Sequence, residues 1–233
     1  MTLVDDPNGR DRMTTELPAS RPLGSRACRW LAKSALFLLF VLGGIGTAMW
    51  LNPTFFLREA VDFWTVSDEV APADAVAVFG GGVATRPFAA AEYYRDGLVS
   101  KVLISNVASQ PLIAEILYSE TESNRQVLLK KGVPADAIEL FGMDVISTYQ
   151  ETMALRAWAV QNHARTIIVP TEYFSSRRVR WVLNEEFAGT GIRVLIPALD
   201  DPQYPRREWW KDDKAILNFQ NEIIKYIYYR LAY

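Results

Sequence analysis

Asp74-Ala75-Val76-Ala77-Val78-Phe79-Gly80-Gly81-Gly82 decides the fold. An unbroken apolar run rich in valine reads as a strand covered on both faces. The glycines that end it mark a sharp strand-to-helix turn. Outward from this stretch, short apolar runs alternate with amphipathic segments. The strands are predicted at 75–79, 101–105, 137–141, 166–169 and 193–196. Helices are predicted at 87–96, 113–131, 147–162, 176–187 and 207–231. Gly97, and Gly132 with Pro134, stand where helices should stop. Ser147-x-x-Gln150 resembles a capping box. Strands alternating with helices mean βαβ units. The expectation is a three-layer α/β/α Rossmann-like sandwich with about five mainly parallel strands, in the preferred order 3-2-1-4-5.

Upstream, residues 35–57 contain no Asp, Glu, Lys or Arg. As a helix they would extend roughly 34 Å, enough to cross a hydrocarbon core of about 30 Å. Arg10, Arg12, Arg21, Arg26, Arg29 and Lys33 precede this run, and only Arg58 follows it before Pro72. Short basic flanks stay cytoplasmic, so the expected topology is N-terminus in and domain out. A cleaved signal peptide is the alternative. The division expected is a cytoplasmic disordered arm at 1–33, an anchor at 34–57, a linker at 58–72 and an α/β domain at 73–233. The arm is polar and proline-rich over 1–22.

Composition narrows the chemistry. The net charge is −2, which leaves no nucleic-acid footprint. The single cysteine, Cys28, precedes the apolar run, so the outer domain has neither disulfide nor thiol chemistry. One histidine, His163, is placed at a helix C-terminus as a surface or capping residue. Zinc sites of the His/Cys kind and a Ser-His-Asp triad are thereby excluded. No acidic cluster has the spacing of an all-carboxylate magnesium site, and no metal is expected.

In an open parallel sheet the ligand crevice lies at the carboxyl ends of the strands. Those ends carry Gly80, Gly81, Gly82 and Arg86; Ser105 and Asn106; Ser147, Thr148 and Glu151; and Thr171, Ser175, Arg177 and Arg178. The glycine run either makes a tight turn only or lets backbone approach a ligand beside a helix N-terminus. Arg86 is either a fork for carboxylate or phosphate, or a solvated charge. Arg177 and Arg178 are expected near the crevice and Arg180 outside it. Glu151 is the general-base candidate, or simply an acid favoured near a helix N-terminus. Ser147 and Thr148 can be caps alone, and Asp144 a turn residue. The C-terminal aromatics, from Trp209 and Trp210 to Tyr229, read as core packing on the sheet. Trp209 and Trp210 have two alternatives, a membrane interface or the pocket rim.

The ordered set of residues 74–82, Arg86, Lys131-Gly132-Val133-Pro134, Ser147-Thr148-Tyr149-Gln150-Glu151, residues 171–178, Trp209-Trp210 and Glu222-x-x-Lys225-Tyr226 resembles the YdcF-like family of bacterial proteins, the SanA/ElyC/YdcF type with a DUF218-like domain. The resemblance covers about residue 73 onward. It implies a Rossmann-like domain, in some members held in the periplasm by one anchor, linked to envelope integrity, peptidoglycan assembly and recycling of the polyprenyl-phosphate carrier. It also implies that the crevice can take S-adenosylmethionine, since one soluble relative is thought to bind it. Two departures stand out: Ser105-Asn106-Val107 replaces Ser-Gly-Gly, and Ser175 replaces a histidine before the arginine pair. The function expected is a membrane-anchored envelope factor binding a small anionic or phosphorylated ligand. The alternatives are an S-adenosylmethionine-binding enzyme and a non-catalytic envelope interaction module.

Overall fold

A computed structural model describes residues 25–113 and 116–233. The arm expected over 1–22 lies outside the described residues. The chain divides into two compact units, Met1–Pro53 and Thr54–Tyr233. In the first, helix α1 (Ser25–Leu51) contains the stretch Arg29–Leu51, with mean hydropathy 2.0. After Lys33 it carries no charged residue, and Leu36, Phe37 and Phe40 are exposed. A helix of this length and composition can cross a membrane.

The second unit is α/β. Strands β1 (Ala75–Val78), β2 (Val102–Val107), β5 (Ile138–Val145), β6 (Thr166–Ile168) and β8 (Arg193–Leu195) form one sheet in the order β5-β2-β1-β6-β8. Every pairing in it is parallel. Counting only these strands, the order is the expected 3-2-1-4-5. Alternation along β1 separates two cores. Ala75, Ala77 and Phe79 pack with Leu155 of α5 (Thr148–Gln161) and Leu183 of α6 (Ser176–Phe187). Val76 and Val78 pack with Ala90 of α3 (Arg86–Arg95) and Leu128 of α4 (Glu120–Lys130). With helices on both faces, every residue of β1 is buried, which is why the strand reads as continuous rather than alternating.

Several elements differ from the sequence expectation. A helix over 113–131 is contradicted: β3 (Gln110–Ile113) and β4 (Ile116–Tyr118) form an antiparallel pair, and α4 starts only at Glu120. Ser119 caps it, accepting from the Glu122 amide at 3.2 Å, so Ser119-x-x-Glu122 is the start signal. The long C-terminal helix is broken in two. A 3₁₀ segment, Arg206–Lys211, precedes α7 (Asp213–Ala232). Asp212 is extended and caps α7 through the Lys214 and Ala215 amides. Ser147 caps α5, but Gln150 reaches back to the Ile146 amide at 2.9 Å instead of closing on Ser147.

Two further strands, β7 (Thr171–Glu172) and β9 (Ala198–Leu199), form a short parallel pair. Residues 58–64, expected in a linker, belong to helix α2 (Pro53–Trp64). Val61, Leu57 and Trp64 pack against Phe174, Trp209 and Phe219. Burial of Val61 alone contributes about 1.5–3 kcal/mol, so α2 is docked on its domain.

Candidate functional site

The carboxyl ends of β1, β2 and β7 and the N-termini of α3, α4, α5 and α6 surround a crevice of about 750 Å³. Four helix N-termini bring positive partial charge to one place. Three glutamates answer it at the glycine loop. Glu151, in the first turn of α5, accepts from the Gly80 amide at 2.6 Å. Glu120, at the start of α4, accepts from the Gly81 amide. Glu172 accepts from Thr85 and from both Nε and Nη2 of Arg86, the latter at 2.5 Å. Arg86 spends its remaining donor group on the Gly80 carbonyl.

The glycines serve these contacts. Gly81 has φ +91°, a conformation costly for residues with a Cβ. A Cβ on Gly82 would collide with Glu172 Oε1 and would lie 2.5 Å from Arg86 Nε. The loop is therefore shaped around the protein's own carboxylates, which already occupy the Gly80 and Gly81 amides.

The two buried glutamates are tuned in opposite directions. Burial pushes the Glu151 carboxyl above the ordinary glutamate range; the Gly80 amide, the Arg86 charge and the nearby Ser105 hydroxyl offset this only in part. Burial pushes Glu172 up as well, but the Arg86 charge and the hydrogen bonds from Arg86 and Thr85 outweigh it and leave the carboxyl below that range. Arg86 loses by burial and gains more from Glu172, so its guanidinium stays charged.

A second Arg–Glu pair forms the other end of the crevice. Arg178 Nε and Nη2 meet the Glu222 carboxylate at 2.7 and 3.1 Å, and Nη1 donates to Thr148 Oγ1 at 2.8 Å. Its guanidinium lies 5.4 Å from the Tyr229 ring centroid. Lys225 Nζ reaches Glu222 Oε1 at 3.1 Å while half its side chain remains exposed. Lys225 and Tyr228 both line the crevice.

A scan against family models finds no match, and a search of curated proteins finds no relative.

The crevice brings together most of the expected residues. Gly80, Gly81, Gly82, Arg86, Ser147, Thr148, Glu151, Ser175 and Arg178 line it. Ser105 is buried behind it, beside Glu151. Asn106 and Thr171 are outside the lining; Thr171 is buried and its hydroxyl has no partner among the described residues.

Arg177 is a correction. It turns to α2, where Nε donates to the Trp64 carbonyl at 2.8 Å and Nη2 to the Phe63 carbonyl. Neighbours on a helix point about 100° apart, so Arg177 and Arg178 cannot share a target. Arg180 pairs with Asp68 at 2.9 Å. His163 follows α5 with φ +52° and does not line the crevice, and Asp144 also has positive φ. The C-terminal aromatics divide: Trp209, Phe219 and Tyr229 are buried, while Tyr228 is exposed. Among the described residues no group of three or more His, Cys, Asp or Glu is placed to hold a metal ion.

Glu120, Glu172, Glu222 and Lys225 were not among the expected site residues. Glu120 was hidden inside the wrongly extended helix. Glu172 directly follows Thr171 at a strand end and was readable there. Glu222 falls on the buried stripe of α7 with Ala215, Phe219 and Tyr229. A carboxylate in that phase needs a cation, and that was the available signal.

Proposed function

We propose that this chain is a membrane-anchored cell-envelope factor whose crevice binds a small phosphorylated, hydroxyl-rich ligand. A cell-wall sugar phosphate or a polyprenyl-linked sugar phosphate has this chemistry. In this reading the anchor is a single pass through a bacterial inner membrane, with the N-terminus cytoplasmic and the domain periplasmic. The basic residues before the apolar run and the length of that run support it. The resemblance to the YdcF-like family points to the same setting.

The observation that carries the ligand reading is the split of the crevice into two ends. The glycine-loop end offers carboxylate acceptors, Glu120 and Glu151, suited to sugar hydroxyls. The other end offers Lys225, whose ammonium has donors beyond its bond to Glu222, beside Arg178 and Thr148. Glu120, Glu151, Glu172, Glu222 and Asp201 outnumber Arg86, Arg178 and Lys225 along the lining. A bare anion gains little from such a crevice, whereas a ligand with a phosphate at one end and hydroxyls at the other meets both. Where that ligand is turned over, Glu151 is the general base, since its buried carboxyl is raised toward the pH at which proton transfer is efficient.

Titration of the purified full-length chain in detergent with N-acetylglucosamine 1-phosphate and with a polyprenyl phosphate tests this. Binding that weakens at least tenfold in Lys225→Ala supports the reading. Absence of binding to either compound, or binding indifferent to Lys225→Ala, removes it.

A further inference from the structure

Helix α2 is clamped to its domain at both ends. Trp209 Nε1 donates to the Leu57 carbonyl at 3.1 Å, and Trp64 Nε1 donates to the Phe174 carbonyl at 2.6 Å. Arg206 pairs with Asp62 at 2.8 Å. Arg177 closes the C-terminal carbonyls and lies 5.2 and 5.5 Å from the Phe63 and Trp64 ring centroids. Val61, Leu57 and Trp64 face the domain.

The opposite side of α2 is not a polar face. Phe56, Ala60 and Phe63 fall at i, i+4 and i+7 on one flank, with Phe55 beside them. Phe63 is 79% exposed and Phe55 52%. Arg58 turns to the Arg207 carbonyl at 3.4 Å and to the Trp210 ring, Asp62 is held by Arg206, and Glu59 takes the remaining outward position. A soluble helix has no reason to present two phenylalanines to water within three turns.

Chain continuity names the occupant. The apolar stretch ends at Leu51 and α2 begins at Pro53. The three bonds from Leu51 to Thr54 reach at most about 10 Å. The headgroup region on each side of a bilayer is about 5–8 Å deep. Whenever α1 spans the bilayer, the first turn of α2 therefore starts within about 10 Å of the hydrocarbon edge, at or next to the headgroups.

We infer that the phenylalanine flank of α2 is seated in the membrane interface, so that the domain rests on the lipid surface and does not hang on a flexible tether. The inference depends on the anchor part of the function proposed above. Aromatic side chains favour that depth.

The experiment uses the full-length chain in phosphatidylglycerol/phosphatidylethanolamine vesicles, with Cys28→Ser and single nitroxide labels at Phe40→Cys, Phe63→Cys, Phe55→Cys or Gln161→Cys. Collision with lipid-soluble oxygen is compared with collision with an aqueous nickel chelate. The expected result is a severalfold higher oxygen-to-nickel ratio at 63 and 55 than at the exposed control 161, at a depth shallower than 40. Label 40 in lipid with 63 and 55 matching 161 overturns the seat and leaves the anchor intact. Shielding of 63 and 55 from both reagents also overturns it, in favour of a protein partner. An aqueous result at 40 overturns the anchor itself, and the seat with it. Phe55→Cys supplies the reading if circular dichroism shows that Phe63→Cys does not fold.

Discussion

The two ends of the crevice are each built on a buried Arg–Glu pair, yet they differ in what is left over. At the glycine loop Arg86 is held by Glu172 and the Gly80 carbonyl, and the Gly80 and Gly81 amides by Glu151 and Glu120. Among the described residues no half-exposed side-chain cation is left there for a ligand. At the other end Arg178 is held by Glu222 and Thr148, but Lys225 joins the same carboxylate from the solvent side. The first pair fixes the shape of a turn; the second holds a half-exposed cation over an opening. A buried guanidinium is therefore not by itself an anion site. What matters is whether any donor is left after the protein has satisfied its own acceptors.

Breaking the inner pair should cost most. Glu172→Ala leaves the buried Arg86 without its carboxylate, bonded only to the Gly80 carbonyl, and is expected to destabilise the domain by about 3–5 kcal/mol, measured by urea unfolding of the full-length chain in detergent. Glu222→Ala should cost about 3 kcal/mol or less, because Thr148 and the Tyr229 ring still hold Arg178. A larger loss for Glu222→Ala than for Glu172→Ala would reverse the ranking of the two ends.

The same contrast has a pH signature. Glu172 has a depressed carboxyl in the fold, so its stabilisation is present above the ordinary glutamate pKa and is lost as pH falls through its lower folded value. Glu151 has a raised carboxyl, so its burial penalises the fold increasingly as pH rises from the ordinary value through the folded one. Glu172→Gln should therefore be destabilising at neutral pH, with the difference from wild type vanishing in acid. Glu151→Gln, whose Oε1 can still accept from the Gly80 amide, should be neutral in acid and stabilising at neutral pH. Unfolding curves collected from pH 3 to about 8 separate the two, and parallel profiles would contradict the assignment.

Smaller effects sharpen the loop. Gly81→Ala places a Cβ at φ +91° and should cost about 1–2 kcal/mol by urea unfolding. Lys225→Ala should change stability by no more than about 0.5 kcal/mol, although it is the substitution expected to remove ligand affinity.

How far the sequence reaches follows from these residues. Strand β1 was legible because a run of buried apolar residues ending in glycines has few other solutions, and the parallel sheet followed from its neighbours. The strand pair β3–β4 was not, since the apolar residues there satisfy helical spacing until Ser119 supplies the cap. The helix α2 was masked because the run free of charged residues continues to Leu57, although Asn52-Pro53-Thr54 interrupt it and Pro53 opens the new helix. Glu151 was found because its place at the strand edge is set by one helix start. Arg177 was misplaced because two adjacent arginines look alike in sequence and only the helical rotation separates them. The pairing of Arg86 with Glu172 joins residues far apart in the chain, and no local pattern encodes it.

The central claim is that a phosphorylated ligand binds at the open, Lys225 end of the crevice and not on the glycine-loop amides. Calorimetric titration of the full-length chain in detergent with N-acetylglucosamine 1-phosphate, in wild type, Lys225→Ala and Gly81→Ala, tests it most directly. The account predicts a saturable signal that is lost in Lys225→Ala and kept in folded Gly81→Ala. A signal kept in Lys225→Ala and lost in folded Gly81→Ala would place the phosphate on the loop and contradict it.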